Sequence, residues 1–423
     1  MFDKQEVIKT RRQIHSFPEI GWGEFYTTYT IVKKLEELKC FEILLGKQII
    51  NESCVLGRVQ SVVDESIKRA KEKGIEQSYL DRMDGYTGCV AIFDSGKEGK
   101  TIILRYDIDC VNVEETDNPY HIPNKEGFAS QNPGLMHACG HDTHATTGIT
   151  VAKWISQNKD KLKGKIKIIF QPAEEGVRGA SAIAGSGIAD DGDYFICSHI
   201  GMGIPSGEIV TSPYNFLSTT KIDISFSGKP AHAGMEPHAG NNALLAAAYC
   251  ATQLHSISRH GEGASRINVG VLKAGEGRNV VPCTGLLQLE VRGENAKINE
   301  YMKNRVLEIA KGVSLAWNVE HKITIMGEAV DMQCDIELVE LLEEIAAKTE
   351  GIKNIERGFN FNGSEDATIF ARKVQANGGK ALYFGLGSNI KAGHHQKEFD
   401  INEEDIFTGI RLHIKLIEKL AGA

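Results

Sequence analysis

The chain has 423 residues, 41% of them hydrophobic and 25% charged, and a formal net charge of −8. That length supports more than one domain-sized core, the composition excludes disorder, and the acidic balance leaves no basic footprint for nucleic acid. The N-terminus lacks an apolar signal core, no apolar run nears the ~18 residues of a membrane span, and the nine cysteines are scattered without a CxxC. The expectation is a cytoplasmic chain with reduced thiols and neither a nucleic-acid nor a membrane partner.

Helical spacing runs over residues 4–15 and 25–39, joined by Phe17-Pro18-Glu19-Ile20-Gly21. A charged amphipathic helix is predicted over 58–73. Apolar runs at 88–93, 101–104, 166–170, 194–197 and 381–384 read as buried strands, with helical stretches such as 143–157 between them. Strand and helix in alternation predict an α/β domain on a mostly parallel sheet. Residues 214–330 differ: Lys221–Ser227, Ser265–Val271 and Leu286–Val291 alternate polar and apolar, as half-exposed antiparallel strands do. With helices near 242–256 and 295–312, this segment is predicted to be an inserted α+β domain, leaving 1–213 and 331–423 as the main domain.

Chemistry concentrates in two short stretches, His137-Ala138-Cys139-Gly140-His141-Asp142 and Gln171-Pro172-Ala173-Glu174-Glu175-Gly176. The first brings a thiol near an imidazole, and the second sets two carboxylates side by side after a proline that ends a strand. Asp107 and Asp109 follow the predicted strand 101–104, His199 follows 194–197, and His394 and His395 lie beyond 381–384. In an open parallel sheet, ligands gather outside the carboxyl ends of the strands, and all of these groups are expected there. Cys139, His141, Glu175, His199 and a late histidine are too many ligands for one tetrahedral zinc with an open position. They suit two metal ions sharing a bridging ligand and a water, with Glu174 left over as general base. Imidazole and carboxylate accept Mn²⁺ or Zn²⁺, and a thiolate leans toward zinc.

At these residues the chain resembles the aminoacylase/carboxypeptidase superfamily of dinuclear amidohydrolases, in the branch that includes hippurate and indoleacetyl-amino-acid hydrolases. The stretches His15–Gly21, Asp107-Ile108-Asp109, Gly363-Ser364-Glu365-Asp366 and His394–Asp400 resemble other signatures of that branch. Further stretches, among them Gly277-Arg278-Asn279-Val280-Val281-Pro282, resemble the A-type chains of its aminobenzoyl-glutamate-cleaving members, as does the extra length at about 41–87.

The resemblance implies a catalytic domain with an inserted lid and dimerisation domain. It implies metal ligation by Cys139, His141, Glu175, His199 and His395, with Glu174 as base and Asp109 orienting a ligand. His232 corresponds to a lid histidine that reaches a partner's active site and can donate to a developing oxyanion. Asn279 and Arg292 resemble a pair that holds a substrate carboxylate, and Arg178 is a further candidate for that task. Where many superfamily members place a bridging carboxylate this branch presents Cys139, and by that likeness Mn²⁺ is expected ahead of Zn²⁺. The expected substrate is an N-acyl or N-aroyl amino acid, p-aminobenzoyl-glutamate first. The alternative is a general N-acyl-amino-acid hydrolase or dipeptidase, and a more remote one is a non-catalytic binding protein. The expected assembly is a homodimer through the lid, or a hetero-oligomer with a homologous B-type chain.

Overall fold

The computed structural model describes residues 2–422. The chain divides into two compact units, one of Met1–Tyr214, Met332–Phe361 and Asp366–Ala423, the other of Asn215–Asp331 and Asn362–Glu365. Among the described residues twelve strands run in chain order: β1 Glu42–Leu44, β2 Cys89–Asp94, β3 Thr101–Asp107, β4 Lys165–Gln171, β5 Tyr194–Ile200, β6 Glu208–Tyr214, β7 Ser218–Ser227, β8 Ser265–Ala274, β9 Thr284–Gly293, β10 Glu320–Ala329, β11 Asn354–Asn360 and β12 Lys380–Leu386.

The larger unit is built on an eight-stranded sheet of order β1-β2-β4-β3-β5-β12-β6-β11. Its centre, β4-β3-β5-β12, is parallel, whereas β1, β2 and the β12–β6 contact are antiparallel. Every residue of β3 is buried, as expected of a strand covered on both faces. Three strands of this sheet escape sequence patterning; β1, at three residues, is too short to show a period, and β6 and β11 escape for other physical reasons. In β6 the stretch Glu208–Tyr214 contains Pro213, which argues against a strand. In β11 the stretch Asn354–Asn360 is a polar, largely exposed edge with a glycine inside it.

The helix His141–Asn158 lies against this sheet, and His141 through Ala152 are all buried. Its buried hydroxyls are satisfied within the helix: Thr146, Thr147 and Thr150 donate to the carbonyls four residues back at 2.7, 2.8 and 2.8 Å. Gly148 lets it approach closely, because a Cβ there would lie 2.6 Å from the Tyr106 ring and 2.7 Å from Phe170. Gly140 starts the helix at φ +88°, a backbone region that glycine enters without strain.

The smaller unit is a four-stranded antiparallel sheet of order β10-β7-β9-β8. Helices Ala243–His255 and Ala296–Trp317 cover one face, burying Ile222, Ile224, Phe226, Leu287 and Val291 against Ala247, Cys250, Met302 and Val306. The second helix runs five residues past its predicted end at 312, to Trp317, where Asn318 caps it in the left-handed region. β10 follows at once and is not evident from the sequence, since its short alternation sits behind that longer helix.

Buried charge ties the helices of the larger unit together. Arg11, fully buried on helix Lys4–His15, donates to Asp142 at 2.7 Å and to Asp400 at 2.6 Å. Asp142 also accepts from His15 at 2.8 Å. Removing one partner of such a set strands the others without solvent, so Arg11→Met is expected to lower unfolding free energy by ~3–5 kcal/mol. Urea denaturation followed by tryptophan fluorescence checks this, with Trp22 and Trp154 both buried in the affected unit; a loss under ~1 kcal/mol would contradict it.

Candidate active site

The site starts at the end of β3. Asp107 is the last residue of that strand, and Asp109 follows two positions on, fully buried. The backbone carbonyl of Asp109 lies 3.0 Å from His141 Nδ1, and its Oδ1 lies 3.2 Å away. A carbonyl only accepts, so Nδ1 carries the proton and Nε2 presents a lone pair. That Nε2 is buried with no hydrogen-bond partner. The other oxygen of Asp109 accepts from the backbone N–H of Glu175 at 2.9 Å, so one carboxylate fixes both an imidazole and the glutamate loop.

His199 repeats the arrangement. It lies inside β5, in register with Gly385 of β12, and not beyond the strand as predicted. Its Nδ1 donates to the Ile200 carbonyl at 2.8 Å, and its Nε2 faces Cys139 Sγ at 3.4 Å. His395 Nε2 meets Glu175 Oε1 at 3.1 Å. Its own backbone sits at φ +62° and donates to the Ala138 carbonyl at 2.8 Å, so this residue is held in a strained conformation beside the cluster.

Glu174 and Glu175 reach the cluster because β4 ends at Gln171 and Pro172 leads into Ala173 at φ +54°. The Ala173 N–H is anchored by Glu24 at 2.7 Å. Successive side chains of a regular strand would point to opposite faces; after this turn both carboxylates face His141. Glu174 Oε2 lies 3.9 Å from His141 Nε2.

Ligand-capable atoms therefore gather in three overlapping groups: Cys139 with His141 and His199, Cys139 with Glu175 and His395, and His141 with Glu174 and Glu175. Cys139, His141 and Glu175 are each shared by two of them. Burial disfavours charge on His141, yet Asp107 and Cys139 hold it well above the usual imidazole range. Hydrogen bonds to Cys139 and then Glu175 raise His395 to about 10. Burial and the neighbouring His144 and His394 push His199 down instead, so the shortage of positive charge is local to His141 and His395, the imidazoles beside carboxylates. With the unsatisfied Nε2 of His141 and the mixed S, N and O donors, the cluster fits divalent metal ions.

A further group, Asp107 with His141 and His144, also has ligand-like spacing, but its His144 is satisfied at both nitrogens. Nδ1 meets Asp107 at 2.5 Å, and Nε2 accepts from the Ile200 N–H at 3.1 Å. His144 thus supports the peptide that holds His199. Arg105, fully buried, steadies the base of this chain through Asp107 at 2.6 Å and Asp366 at 3.0 Å. The sequence reading missed His144, Arg105 and Asp366 as parts of the site. The available signal was spacing, since His144 lies one helical turn after His141.

Arg178 is engaged by the protein's own backbone. Its Nε donates to the Glu175 carbonyl at 2.8 Å and a terminal nitrogen reaches the Gly57 carbonyl at 3.3 Å. The side chain braces the glutamate loop against the extra segment 41–87. The helix predicted over 58–73 forms as Gln60–Glu72 and buries Val63, Ser66 and Ala70.

In the smaller unit, His232 and Asn279 come together. His232 bridges to Val280, and the Ala233 N–H donates to the Asn279 carbonyl at 3.0 Å. His232 Nδ1 accepts from the N–H groups of Gly234 at 3.2 Å and Met235 at 3.1 Å, which leaves the ring proton on exposed Nε2 as an outward donor. Arg292 is elsewhere. It lies near the far end of β9, opposite Thr219 and Arg266, and pairs with Glu290 at 3.1 Å. From Thr284 to Arg292 the strand advances ~26 Å at ~3.3 Å per residue. Asn279 and Arg292 of one chain therefore do not form one clamp.

The anchoring role of Asp109 is open to test. Asp109→Ala removes both the brace on Glu175 and a side-chain contact to His141, and is expected to weaken divalent-metal affinity about 10–100-fold. Competition titration against a chromophoric chelator measures it; unchanged affinity would contradict the assignment.

Residues 103–419 match the model of peptidase family M20/M25/M40. The chain is 61% identical over 418 residues to a Haemophilus influenzae homolog of the A component of p-aminobenzoyl-glutamate hydrolase, covering 99% of each. It is 42% identical over 401 residues to the indole-3-acetyl-aspartic acid hydrolase of Enterobacter agglomerans, covering 94% of this chain and 92% of that one. A crystal structure of an aminobenzoyl-glutamate utilization protein from Klebsiella pneumoniae superimposes with a TM-score of 0.85 at 34% identity, over 98% of this chain and 95% of that one. The chain belongs to peptidase family M20/M25/M40 and is a metal-dependent amide hydrolase.

Proposed function

We propose that the protein cleaves the amide bond of p-aminobenzoyl-glutamate, giving p-aminobenzoate and glutamate. The observation that carries this is the convergence of orphaned or thiol-facing imidazole lone pairs on a carboxylate pair, Glu174 and Glu175, in a chain 61% identical to the Haemophilus relative. The larger unit acts as the catalytic domain and the smaller as its lid.

Cys139, His141, Glu175, His199 and His395 would hold two divalent ions. Mn²⁺ is the first candidate by family likeness and Zn²⁺ the second. Bound there, the ions would lower the pKa of a water molecule and polarise the amide carbonyl. Glu174 takes the proton from the attacking water and delivers it to the leaving nitrogen. Asp109 keeps the His141 ring and the Glu175 loop in place. His232 Nε2 donates to the oxygen on which negative charge develops, while Asn279 and Arg292 bind substrate carboxylate.

The separation of Asn279 from Arg292 within one chain supports a site completed by a second copy. β8 is an edge strand with exposed Leu272, and the neighbouring helix Ala243–His255 exposes Leu245 and Tyr249. These features support a homodimer through the lid, in which His232 and Asn279 serve the partner's site. The Haemophilus relative is named for one component of a multi-component hydrolase, which supports a hetero-oligomer with a homologous B-type chain as the other arrangement. No helix among the described residues is long and apolar enough to cross a membrane, and we take the enzyme to be cytoplasmic.

Glu174→Gln is expected to lower kcat about 10²–10⁴-fold with metal content unchanged, measured by aminobenzoate release and elemental analysis. Full activity in that variant removes the mechanism. Mixing Glu174→Gln with His232→Ala protein supplies a further check. Each variant alone is impaired, but a mixed dimer contains one intact site if His232 acts in trans. Recovery of activity on mixing is expected; no recovery, with exchange of protomers verified, contradicts the trans arrangement.

A further inference from the structure

Glu24 stands where folding alone would choose another residue. It is the N-cap of the helix Phe25–Glu37, a position that favours serine, threonine, aspartate or asparagine, whose short side chains accept from the first free N–H groups. The Glu24 side chain makes no such bond to its helix. It is fully buried instead, where a carboxyl group costs free energy unless hydrogen bonds satisfy it. Its Oε1 accepts from the Ala173 N–H at 2.7 Å, and its Oε2 accepts from the Thr87 hydroxyl at 2.5 Å. The carboxyl group thus holds a peptide 149 residues along the chain rather than its own helix end.

That peptide immediately precedes the carboxylate pair. Ala173 has φ +54°, a left-handed conformation that a residue with a side chain keeps only under constraint. Its carbonyl accepts from the Arg178 N–H at 3.1 Å and the Gly179 N–H at 2.8 Å, and the Glu174 carbonyl accepts from the Val177 N–H at 2.6 Å. The loop itself therefore closes the far side of the turn, and Glu24 closes the near side. Two glycines make the room: a Cβ on Gly21 would lie 2.9 Å from Ala173 Cα, and one on Gly88 would lie 2.5 Å from Pro172 Cδ. Asp109 takes the N–H of Glu175 at 2.9 Å. The two acids grip the backbone on either side of Glu174.

We propose that Glu24 is a positioning residue for the general base: it fixes the Ala173 turn, and with it the direction in which Glu174 leaves the backbone. This rests on the reading above that Glu174 moves the proton, and deepens it. Asp109 serves the metal ligands His141 and Glu175, whereas Glu24 serves the base, and Thr87 orients its carboxyl group. A base must stand within hydrogen-bond reach of the proton it takes. One displaced by ~1 Å loses about 100-fold in rate while the ligand set stays in place.

The test uses full-length protein loaded with Mn²⁺, as wild type, E24A, E24Q, E174Q and the double variant E24A/E174Q. Hydrolysis of aminobenzoyl-glutamate gives kcat and KM, and chelator competition gives Mn²⁺ affinity. Hydrogen exchange over residues 171–179 reads the loop without turnover. E24A is expected to lower kcat about 100-fold, with KM and Mn²⁺ affinity within about 3-fold of wild type, and to speed exchange in the loop about 10-fold or more. E24Q keeps an oxygen for the Ala173 N–H and turns an amide donor toward Thr87, so it is expected to recover most of the activity. In the E174Q background E24A is expected to cost nothing further, because residues that act as a unit are non-additive; a merely structural loss would lower both backgrounds by the same factor. A fully active E24A, an E24Q no better than E24A, an equal loss in the E174Q background or unchanged exchange overturns the role of Glu24 and leaves Glu174 as base. Full activity in E174Q overturns the base reading, and a wild type that leaves aminobenzoyl-glutamate uncleaved overturns the substrate reading. In both of those cases faster loop exchange in E24A keeps Glu24 as the holder of the turn, and unchanged exchange overturns that too.

Discussion

The site depends on two hydrogen bonds that carbonyl oxygens accept from imidazole Nδ1 atoms, Asp109 from His141 and Ile200 from His199. Each fixes a tautomer and turns an Nε2 lone pair toward the cysteine and the glutamate pair. The Nε2 of His141 has no hydrogen-bond partner among the described residues, and a buried polar atom of that kind is unfavourable unless something else satisfies it. The orphaned nitrogen and the electronegative surroundings point the same way, toward bound cations. Removing either carbonyl anchor would free a ring to rotate and satisfy itself locally.

Those anchors exist because of how the sheet is ordered. β3, β4 and β5 run parallel, with Asp107 in register with Gln171, so the chain leaves all three strands at the same rim. Asp109 then lies within reach of both His141, at the start of its helix, and the Glu175 backbone. Behind this rim a second tier holds the first: Arg105 to Asp107, Asp107 to His144, and His144 to the Ile200 peptide. Fully buried charge is tolerated here because each member is paired. The result is a rigid cradle, the property a metal site with fixed donor directions requires.

Much of this was legible in the sequence. The long buried strands and the helices at 4–15 and 143–157 formed where hydrophobic spacing placed them, because apolar periodicity reports burial directly. Cys139, His141, Glu175, His199 and a late histidine stood out by residue type and by position near strand ends, and the choice of His395 over His394 came from the family resemblance. The supporting groups did not stand out, since Arg105 and His144 read as ordinary strand and helix residues until the fold supplies their partners. Arg178 was a candidate for binding a substrate carboxylate, and only the three-dimensional loop shows the carbonyls of Glu175 and Gly57 converging on it. Asn279 and Arg292 were paired by the family resemblance alone. An extended strand separates such residues instead, and that separation is what leads to a second chain.

The smaller unit's two sheet faces differ in chemistry. Its buried face is an ordinary apolar core, while the outward face opposes two arginines across neighbouring strands. His232 is held by backbone N–H groups in the tautomer that donates outward.

Anomalous diffraction from Mn²⁺-loaded crystals, recorded at the manganese edge, tests the metal cluster most directly. Two peaks are predicted, both bonded to Cys139 Sγ, with His141 Nε2, His199 Nε2, Glu175 and His395 completing their coordination and Glu174 left uncoordinated. Peaks that avoid Cys139, or a single ion held by Asp107 and His144, would contradict it.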